Sequence, residues 1–231
     1  NKEGDIINGV SAWSSTAVKA PSQIITYVSA HDNQTLWDKL AETLPEADEE
    51  ERMRLNRMAA ALYMTCQGTI FFLSGEEFAR TKDGMEDSFN APIALNRLDW
   101  EKAWENRDLV EYYKGLIALR RQLPGLCDKS AEASKRIHDV VKEENAVSFL
   151  VDNRSETGNS RWQTLKVVYN SSKDPRTVDL EGEGWTVLCD GTDSRLWEKE
   201  HPVNGEIYIA PQSVLILGRA EEESVWRRQA V

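Results

Sequence analysis

The sequence predicts an α/β region followed by an all-β domain, an antiparallel β-sandwich. Two observations lead to this fold class. From Ile24 to Leu126, short apolar runs alternate with helical patterns, which is typical of βα units. After Leu126 the chain changes to short β-type segments separated by turn-rich stretches, at the regular spacing of a sandwich. We therefore place the α/β part at residues 1–128, the β-sandwich at 129–220 and a charged tail at 221–231.

Two strands and two helices are predicted in the α/β part. The apolar run at Ile24–Val28 reads as a buried strand that ends in a polar loop. Asp48 can cap a helix that continues to Gly68, with Glu51 three residues after the cap and an acidic first turn. A second strand is predicted at Thr69–Leu73, and a second helix at Asp108–Leu123 that Pro124 ends.

Seven short strands are predicted in the second part: Ile137–Val141, Ala146–Val151, Leu165–Tyr169, Thr177–Leu180, Trp185–Leu188, Ile207–Ile209 and Val214–Leu217. Two βα units cannot form a closed sheet alone, since an eight-fold barrel needs roughly 250 residues. We therefore expect the first part to be the end of a larger α/β domain, with apolar surface left open. The sequence begins at Asn1 without an initiator Met, and the residues after it lack the apolar core of a signal peptide. We therefore expect the sequence to begin inside a longer chain.

The composition disfavours several classes of binding partner. With 28 Lys and Arg against 39 Asp and Glu, the formal charge is −11, which disfavours binding to nucleic acid or to anionic membranes. No apolar run approaches the roughly 20 residues of a membrane-spanning helix. Cys66, Cys127 and Cys189 lie far apart, without zinc-type spacing, and we expect them to be reduced. The sequence predicts no cofactor and no metal ligands.

The most informative segment runs from Tyr27 to Asn33, because a strand delivers a His, a carboxylate and an amide to its carboxyl end. Ligands bind at that edge in α/β barrels. Asp32 could stabilise developing positive charge there, and His31 could donate hydrogen bonds to a hydroxylated substrate. On spacing alone, a role in supporting the loop main chain is an equal alternative.

The order of the residues in several segments between Tyr27 and Arg120 resembles that of a known protein family. Tyr27 to Asn33, continued by Thr35–Lys39, resembles the fourth conserved region of the α-amylase superfamily of glycoside hydrolases, in particular its type I pullulanase and debranching members. The other matching motifs, in chain order, are Gly75–Lys82, Asp87–Asn90, Asn96–Trp100, Tyr112–Ile117 and Leu119–Arg120.

This resemblance implies a (β/α)8 barrel, here incomplete, followed by a β-sandwich. Ile24–Ser29 and Gly68–Leu73 would be the seventh and eighth strands. The implied reaction is hydrolysis of α-1,6-glucosidic linkages in an α-glucan such as pullulan, limit dextrin or glycogen. The mechanism would be retaining, with an Asp nucleophile, a Glu acid and base, and a second Asp that stabilises the transition state.

By matching position, Asp32 is that stabilising carboxylate and His31 is the hydroxyl donor beside it. Asn33, Arg80 and Asn90 are the further candidates for substrate contact, and for Arg80 a salt bridge to Glu76 or Glu77 is the alternative. No segment resembles the nucleophile or acid motifs, so we expect the chain alone to be inactive and its open strands to favour self-association. The resemblance leaves open a structural calcium ion in a longer protein.

Other interpretations remain. The β domain could act as a noncatalytic carbohydrate-binding or stabilising module, with Trp162, Trp185 and Trp197 as a sugar platform, although packing is the simpler role for these rings. An amylase-type α-1,4 specificity is a second alternative. A metal-dependent phosphohydrolase is disfavoured, since His138 and His201 lack metal-type spacing with His31.

Overall fold

The computed structural model of the chain describes residues 2–12, 17–155 and 160–220. The predicted charged tail at 221–231 lies outside the described residues. Among the described residues, the first part has seven α-helices and two strands: α1 (Glu3–Val10), β1 (Ile25–Thr26), α2 (Leu36–Thr43), α3 (Glu49–Met64), β2 (Thr69–Ile70), α4 (Ile93–Asn96), α5 (Trp100–Glu105), α6 (Arg107–Arg120) and α7 (Pro124–Cys127). In the described ranges, no helix is long and apolar enough to cross a membrane.

The first strand pair is parallel. β1 pairs with β2 in the register Ile25 to Thr69, and the amide of Phe71 continues the ladder to the carbonyl of Thr26 at 3.0 Å. Both strands are shorter than predicted. Ile25, Tyr27 and Phe71 are more than two-fifths exposed, and the rings of Tyr27 and Phe71 lie edge to face at 5.9 Å. The prediction of a buried strand at Ile24–Val28 is therefore wrong for the chain by itself, and the strand pair shows the open apolar surface expected of the end of a larger domain.

The predicted capping of α3 is confirmed. The Asp48 side chain accepts a hydrogen bond from the Glu51 amide at 2.7 Å, and three glutamates occupy the first turn. Such a cap satisfies an amide that has no partner within the helix, and acidic groups interact favourably with the positive end of the helix dipole. The helix ends at Met64, and Gly68 follows with a positive φ of 85° at the entry to β2.

Within residues 129–155 and 160–220, the second part contains six strands: β3 (Ile137–Glu143), β4 (Ala146–Asp152), β5 (Thr164–Asn170), β6 (Arg176–Cys189), β7 (Pro202–Ile209) and β8 (Ser213–Arg219). All are antiparallel, in the order β3-β4-β5-β8-β6-β7. The strands predicted at Thr177–Leu180 and Trp185–Leu188 are the two halves of β6. They join through Gly182 and Gly184, whose φ angles are 76° and 81°.

The sequence predicts a sandwich of two sheets, whereas the structure has one continuous sheet. The register between β6 and β7 shifts between Leu180 and Trp185, which bends the strand there. Leu180 and Ile209 then pack with Val168 and Leu215 of the inner strands in a second apolar cluster. A single folded sheet thus buries the apolar residues that two separate sheets would have buried between them.

The opposite face of the sheet packs against α3 and α6, and both parts of the chain share one core. Tyr112 of α6 donates its hydroxyl hydrogen bond to the carbonyl of Asp190 at 2.8 Å. Ser194 donates to the carbonyl of Tyr112 at 2.7 Å, directly beside Gly115. The β domain therefore holds α6, which in turn packs behind the loops at the end of the strand pair.

Candidate functional site

The predicted site lies in the turn that follows β1. His31 and Asp32 project from this turn with side chains that are 83% and 81% exposed, and His31 Nε2 lies 3.5 Å from Asp32 Oδ2. Asn33 has a positive φ of 60°, a conformation that Asn tolerates better than most residues. The turn therefore presents an imidazole, a carboxylate and an amide side by side to solvent.

Helix α2 begins directly after this turn. Thr35 caps it by accepting a hydrogen bond from the Asp38 amide at 3.1 Å. The Trp37 and Asp38 side chains are buried beneath the turn, and the guanidinium of Arg52 lies 4.8 Å from the centre of the Trp37 ring. Trp37 therefore packs beneath the turn and leaves little ring surface for a ligand.

A buried carboxylate joins this turn to the loop after β2. Asp38 accepts hydrogen bonds from the Thr81 hydroxyl and from the Lys82 amide, the latter at 2.7 Å. The Lys82 ammonium returns to the first turn and donates to the His31 carbonyl at 2.9 Å. The loops after β1 and β2 are thus tied together by polar contacts at the carboxyl ends of the two strands.

A second buried carboxylate, Glu76, lies at the centre of a hydrogen-bonded group. It accepts from the Ser29 hydroxyl and from the Tyr63 and Tyr113 hydroxyls, each of the last two at 2.9 Å. Asn56 donates to the Tyr113 oxygen at 2.9 Å. Burial raises the pKa of Glu76, while the three hydroxyl donors act in the opposite direction. This group fixes the end of β1 against α3 and α6.

Arg80 supports the loop through main-chain contacts. Its guanidinium donates to the carbonyls of Ser74 at 3.1 Å and Asn96 at 2.5 Å. Among the described residues, no ion pair joins Arg80 to Glu76 or Glu77, and the Glu77 carboxylate instead accepts a hydrogen bond from the Gly75 amide at 2.8 Å. Its side chain lies across Gly75, which has a φ of 101° and no room for a Cβ.

Asn90 lies farther along the same loop and is exposed. The turn around it is closed by the Ala91 amide, which donates to the Ser88 carbonyl at 3.0 Å, and Asn96 donates to the same carbonyl at 2.6 Å. The structure therefore joins His31, Asp32 and Asn33 in one turn, links that turn to the segment directly after Arg80, and places Asn90 in the exposed part of the second loop.

The tryptophans of the β domain show little free ring surface. Trp162 and Trp185 are 3% and 2% exposed, and Trp197 is partly buried against the main core. The guanidiniums of Arg161 and Arg219 lie 4.8 Å and 4.6 Å from the Trp162 and Trp185 ring centres. A sugar platform needs exposed ring faces, so the burial of these two rings argues against the interpretation of this domain as a binding module built on them.

Three residues with a part in this geometry, Asp38, Glu76 and Lys82, are absent from the predicted site. Glu76 and Lys82 belong to a motif that carries the resemblance, and Asp38 stands three residues after a capping Thr. Their positions in the sequence could therefore have identified these three residues as candidates. Burial, which distinguishes them from the many other charged residues nearby, cannot be read from their spacing. Within the described residues, no group of three or more His, Cys, Asp or Glu side chains could hold a metal ion.

Comparison with known proteins shows similarity to pullulanases. A family model of the pullulanase all-β domain matches residues 137–193. The pullulanase of Bacillus subtilis (strain 168) is 32% identical over 188 residues, which are 80% of this chain and 26% of that protein. The chain is homologous to pullulanases. The chloroplastic pullulanase 1 of Arabidopsis thaliana is 35% identical over 129 residues, or 52% of this chain and 13% of that protein.

Solved pullulanase structures match both parts of the chain. The pullulanase from Bacillus acidopullulyticus superposes with a TM-score of 0.86 at 32% identity, covering 95% of this chain and 27% of that one. The type I pullulanase of Bacillus subtilis, solved with maltose, gives a TM-score of 0.84 at 27% identity and covers 95% and 31%. The six-stranded sheet and its helices therefore have a pullulanase fold. The chain spans about a quarter of the length of the Bacillus subtilis relative.

Proposed function

We propose that this chain is the C-terminal part of a debranching glycoside hydrolase that cleaves α-1,6-glucosidic linkages in pullulan, limit dextrin or glycogen with retention. The observation that carries the proposal is the superposition on a pullulanase over 95% of the chain, together with the exposed His31–Asp32 pair at the end of β1. In this proposal, strands β1 and β2 of the chain would be the last two strands of a (β/α)8 barrel.

In this proposal, Asp32 stabilises the positive charge that develops on the cleaved sugar. A carboxylate held close to an oxocarbenium-like centre lowers the barrier by an electrostatic interaction that is stronger in the transition state than in the ground state. His31 donates a hydrogen bond to a hydroxyl of the same sugar. Asn33, Arg80 and Asn90 contact the glucan farther along the edge or support the loops that do.

The nucleophile and the proton donor are supplied by strands outside this chain. Retaining hydrolysis needs two carboxyl groups about 5–5.5 Å apart, one for the anomeric carbon and one for the leaving oxygen. No segment of the sequence resembles either motif, so the isolated chain has no route to the covalent intermediate.

The exposed face of the strand pair supports the same arrangement. Ile25 is 59% exposed and Tyr27 54%, although apolar strand residues are normally covered in a parallel sheet. The preceding barrel strands would cover this face. In their absence, contact between two copies of the chain would cover it instead, which is the basis for the proposed self-association.

A chimera tests the proposal. The chain replaces the matching segment of the Bacillus subtilis pullulanase, and release of reducing sugar from pullulan is measured. We expect the chimera to hydrolyse pullulan and the isolated chain to release none. Measurable release by the isolated chain would overturn the assignment of the nucleophile and acid to other segments. A folded chimera without activity would overturn the proposed function.

The same assay addresses linkage preference. Pullulan contains both α-1,4 and α-1,6 linkages, so the products distinguish the two specificities. We expect maltotriose as the main product, since it results from cleavage at α-1,6 links alone. Panose or isopanose as the main product would favour the amylase-type alternative, because both trisaccharides keep the α-1,6 link and result from cleavage at α-1,4 links alone.

A further inference from the structure

Lys82 is a buried cation close to the proposed site. Lys82 is only 3% exposed. Lysine is seldom buried in proteins unless its charge has a partner. The ammonium donates to the main-chain carbonyl of His31 at 2.9 Å. The hydrogen bond connects residues that are 51 positions apart in the chain, so it is a tertiary contact between two loops.

Asp38 closes this connection into a ring. It lies in α2, three residues after the Thr35 cap, and its two carboxylate oxygens accept from the Thr81 hydroxyl and the Lys82 amide. The main chain from His31 to Asp38 and the Asp38–Lys82–His31 hydrogen bonds therefore form a closed path. A turn held at both ends in this way has fewer accessible conformations than a free surface loop.

We propose that Lys82 is a positioning residue, which holds the main chain of His31 and thereby orients the His31 and Asp32 side chains toward the sugar. This inference rests on the proposed function. Packing cannot orient these two side chains, because both are more than four-fifths exposed. The main chain from which they project must be fixed instead, and the Lys82 ammonium is the group that binds it from the neighbouring loop.

The charges around Lys82 fit this role. Burial and the nearby Arg80 cation lower the pKa of Lys82, whereas the carboxylates of Asp38 and Asp32 act in the opposite direction. Asp38 compensates part of the charge from the buried side. Removing the ammonium therefore takes away a hydrogen-bond donor to His31 and leaves the Asp38 carboxylate without that nearby cation.

NMR relaxation of the intact 231-residue chain tests the positioning step without any assay of hydrolysis. In Lys82→Met, we expect the backbone order parameters of residues 31–34 to fall from about 0.85, the value of a rigid backbone, toward about 0.6, while those in the middle of α3 stay unchanged. The matched control is Lys39→Met, which makes the same substitution at an exposed lysine of α2. Unchanged order parameters at residues 31–34, or an equal decrease in the control, would overturn the proposal.

A second variant covers the case in which Lys82→Met does not fold. Asp38→Asn weakens the same connection from the α2 side and keeps the ammonium, and we expect the same local decrease in the order parameters. If Asp38→Asn folds and residues 31–34 are as ordered as in the natural chain, the proposal is wrong.

The chimera supplies the functional measurement. Lys82→Met should lower kcat for pullulan about tenfold with KM changed by less than about twofold, because a misplaced Asp32 weakens the transition state more than substrate binding. Lys39→Met should leave both unchanged. A loss confined to KM would contradict the proposal. If the chimera with the natural segment is inactive, the proposed function fails and the order parameters still decide whether Lys82 fixes the turn.

Discussion

Arg120 of α6 donates to the main-chain carbonyl of Met64, the last residue of α3, at 2.6 Å. The same guanidinium donates to the carbonyls of Cys66, Gly68 and Leu126 at 2.8 to 3.0 Å. Helix carbonyls at a C-terminus have no partners within the helix and carry partial negative charge. Arg120 therefore joins the end of α3, the entry to β2 and α7 through one buried cation.

Arg120→Met should destabilise the chain strongly. The substitution leaves four buried carbonyls without their donor, and we expect a loss of about 3 kcal/mol in the free energy of unfolding. Urea denaturation followed by tryptophan fluorescence measures it. The neighbouring Arg121 is exposed, so Arg121→Met is the matched control and should change stability by less than about 0.5 kcal/mol. Similar losses in both variants would contradict the role given to Arg120.

The interface between α6 and the β domain should be sensitive to Gly115. A Cβ at this position would lie 2.0 Å from Ser194 Oγ, which is far inside contact distance. We expect Gly115→Ala to cost about 1–3 kcal/mol, and Ser194→Gly in the same chain to recover part of that loss. A double-mutant cycle by urea denaturation measures the coupling. Additive effects would show that the two residues are not in contact in solution.

The Asp48 cap gives a smaller and more local effect. Asp48→Ala removes the acceptor of the Glu51 amide, and we expect a loss of about 1 kcal/mol with a lower Tm. Glu46→Ala, in the exposed turn before the helix, is the control and should leave the Tm nearly unchanged. Equal Tm values for the two variants would mean that the cap does not contribute.

Glu76 should make stability depend on pH. The unfolded chain releases this proton near 4.5, whereas burial raises the pKa of Glu76 in the folded chain. Between these two values the unfolded state binds fewer protons, so the contribution of Glu76 to stability falls as the pH rises from about 4.5. We expect Glu76→Gln to remove this part of the dependence, as seen in Tm values measured from pH 4 to 8. The exposed Glu86→Gln is the control and should reproduce the natural profile. A Glu76→Gln profile parallel to the natural one would contradict the assignment.

Local features of the fold were predictable from the sequence because they depend on neighbouring residues. Asp48 and Glu51 lie three positions apart, so the cap of α3 can be read from the chain. The β-type segments predicted after Leu126 all lie within strands of the structure. The joining of two predicted strands into β6 was missed, since Gly182 and Gly184 are typical of a turn and here form a bend within one strand.

The contacts that organise the site could not be predicted because their partners are distant in the sequence. Ser29 and Glu76 are 47 positions apart, and Tyr63 and Tyr113 approach Glu76 from two different helices. The His31–Asp32 pair was found because strand and motif occur together in one short segment. The hydrogen bond between Lys82 and the His31 carbonyl could not be predicted either, because the two residues are 51 positions apart in the sequence.

The most direct test of the account is the activity of the pullulanase chimera carrying Asp32→Asn. The exposed His138–Asp139 pair of β3, with 3.0 Å between its nearest atoms, offers a matched control in Asp139→Asn. We predict that Asp32→Asn lowers kcat for pullulan by at least about a hundredfold, in line with the loss of an electrostatic stabiliser, and that Asp139→Asn leaves kcat unchanged. An Asp32→Asn chimera that hydrolyses pullulan at the same rate as the control would contradict the proposal that Asp32 stabilises the transition state.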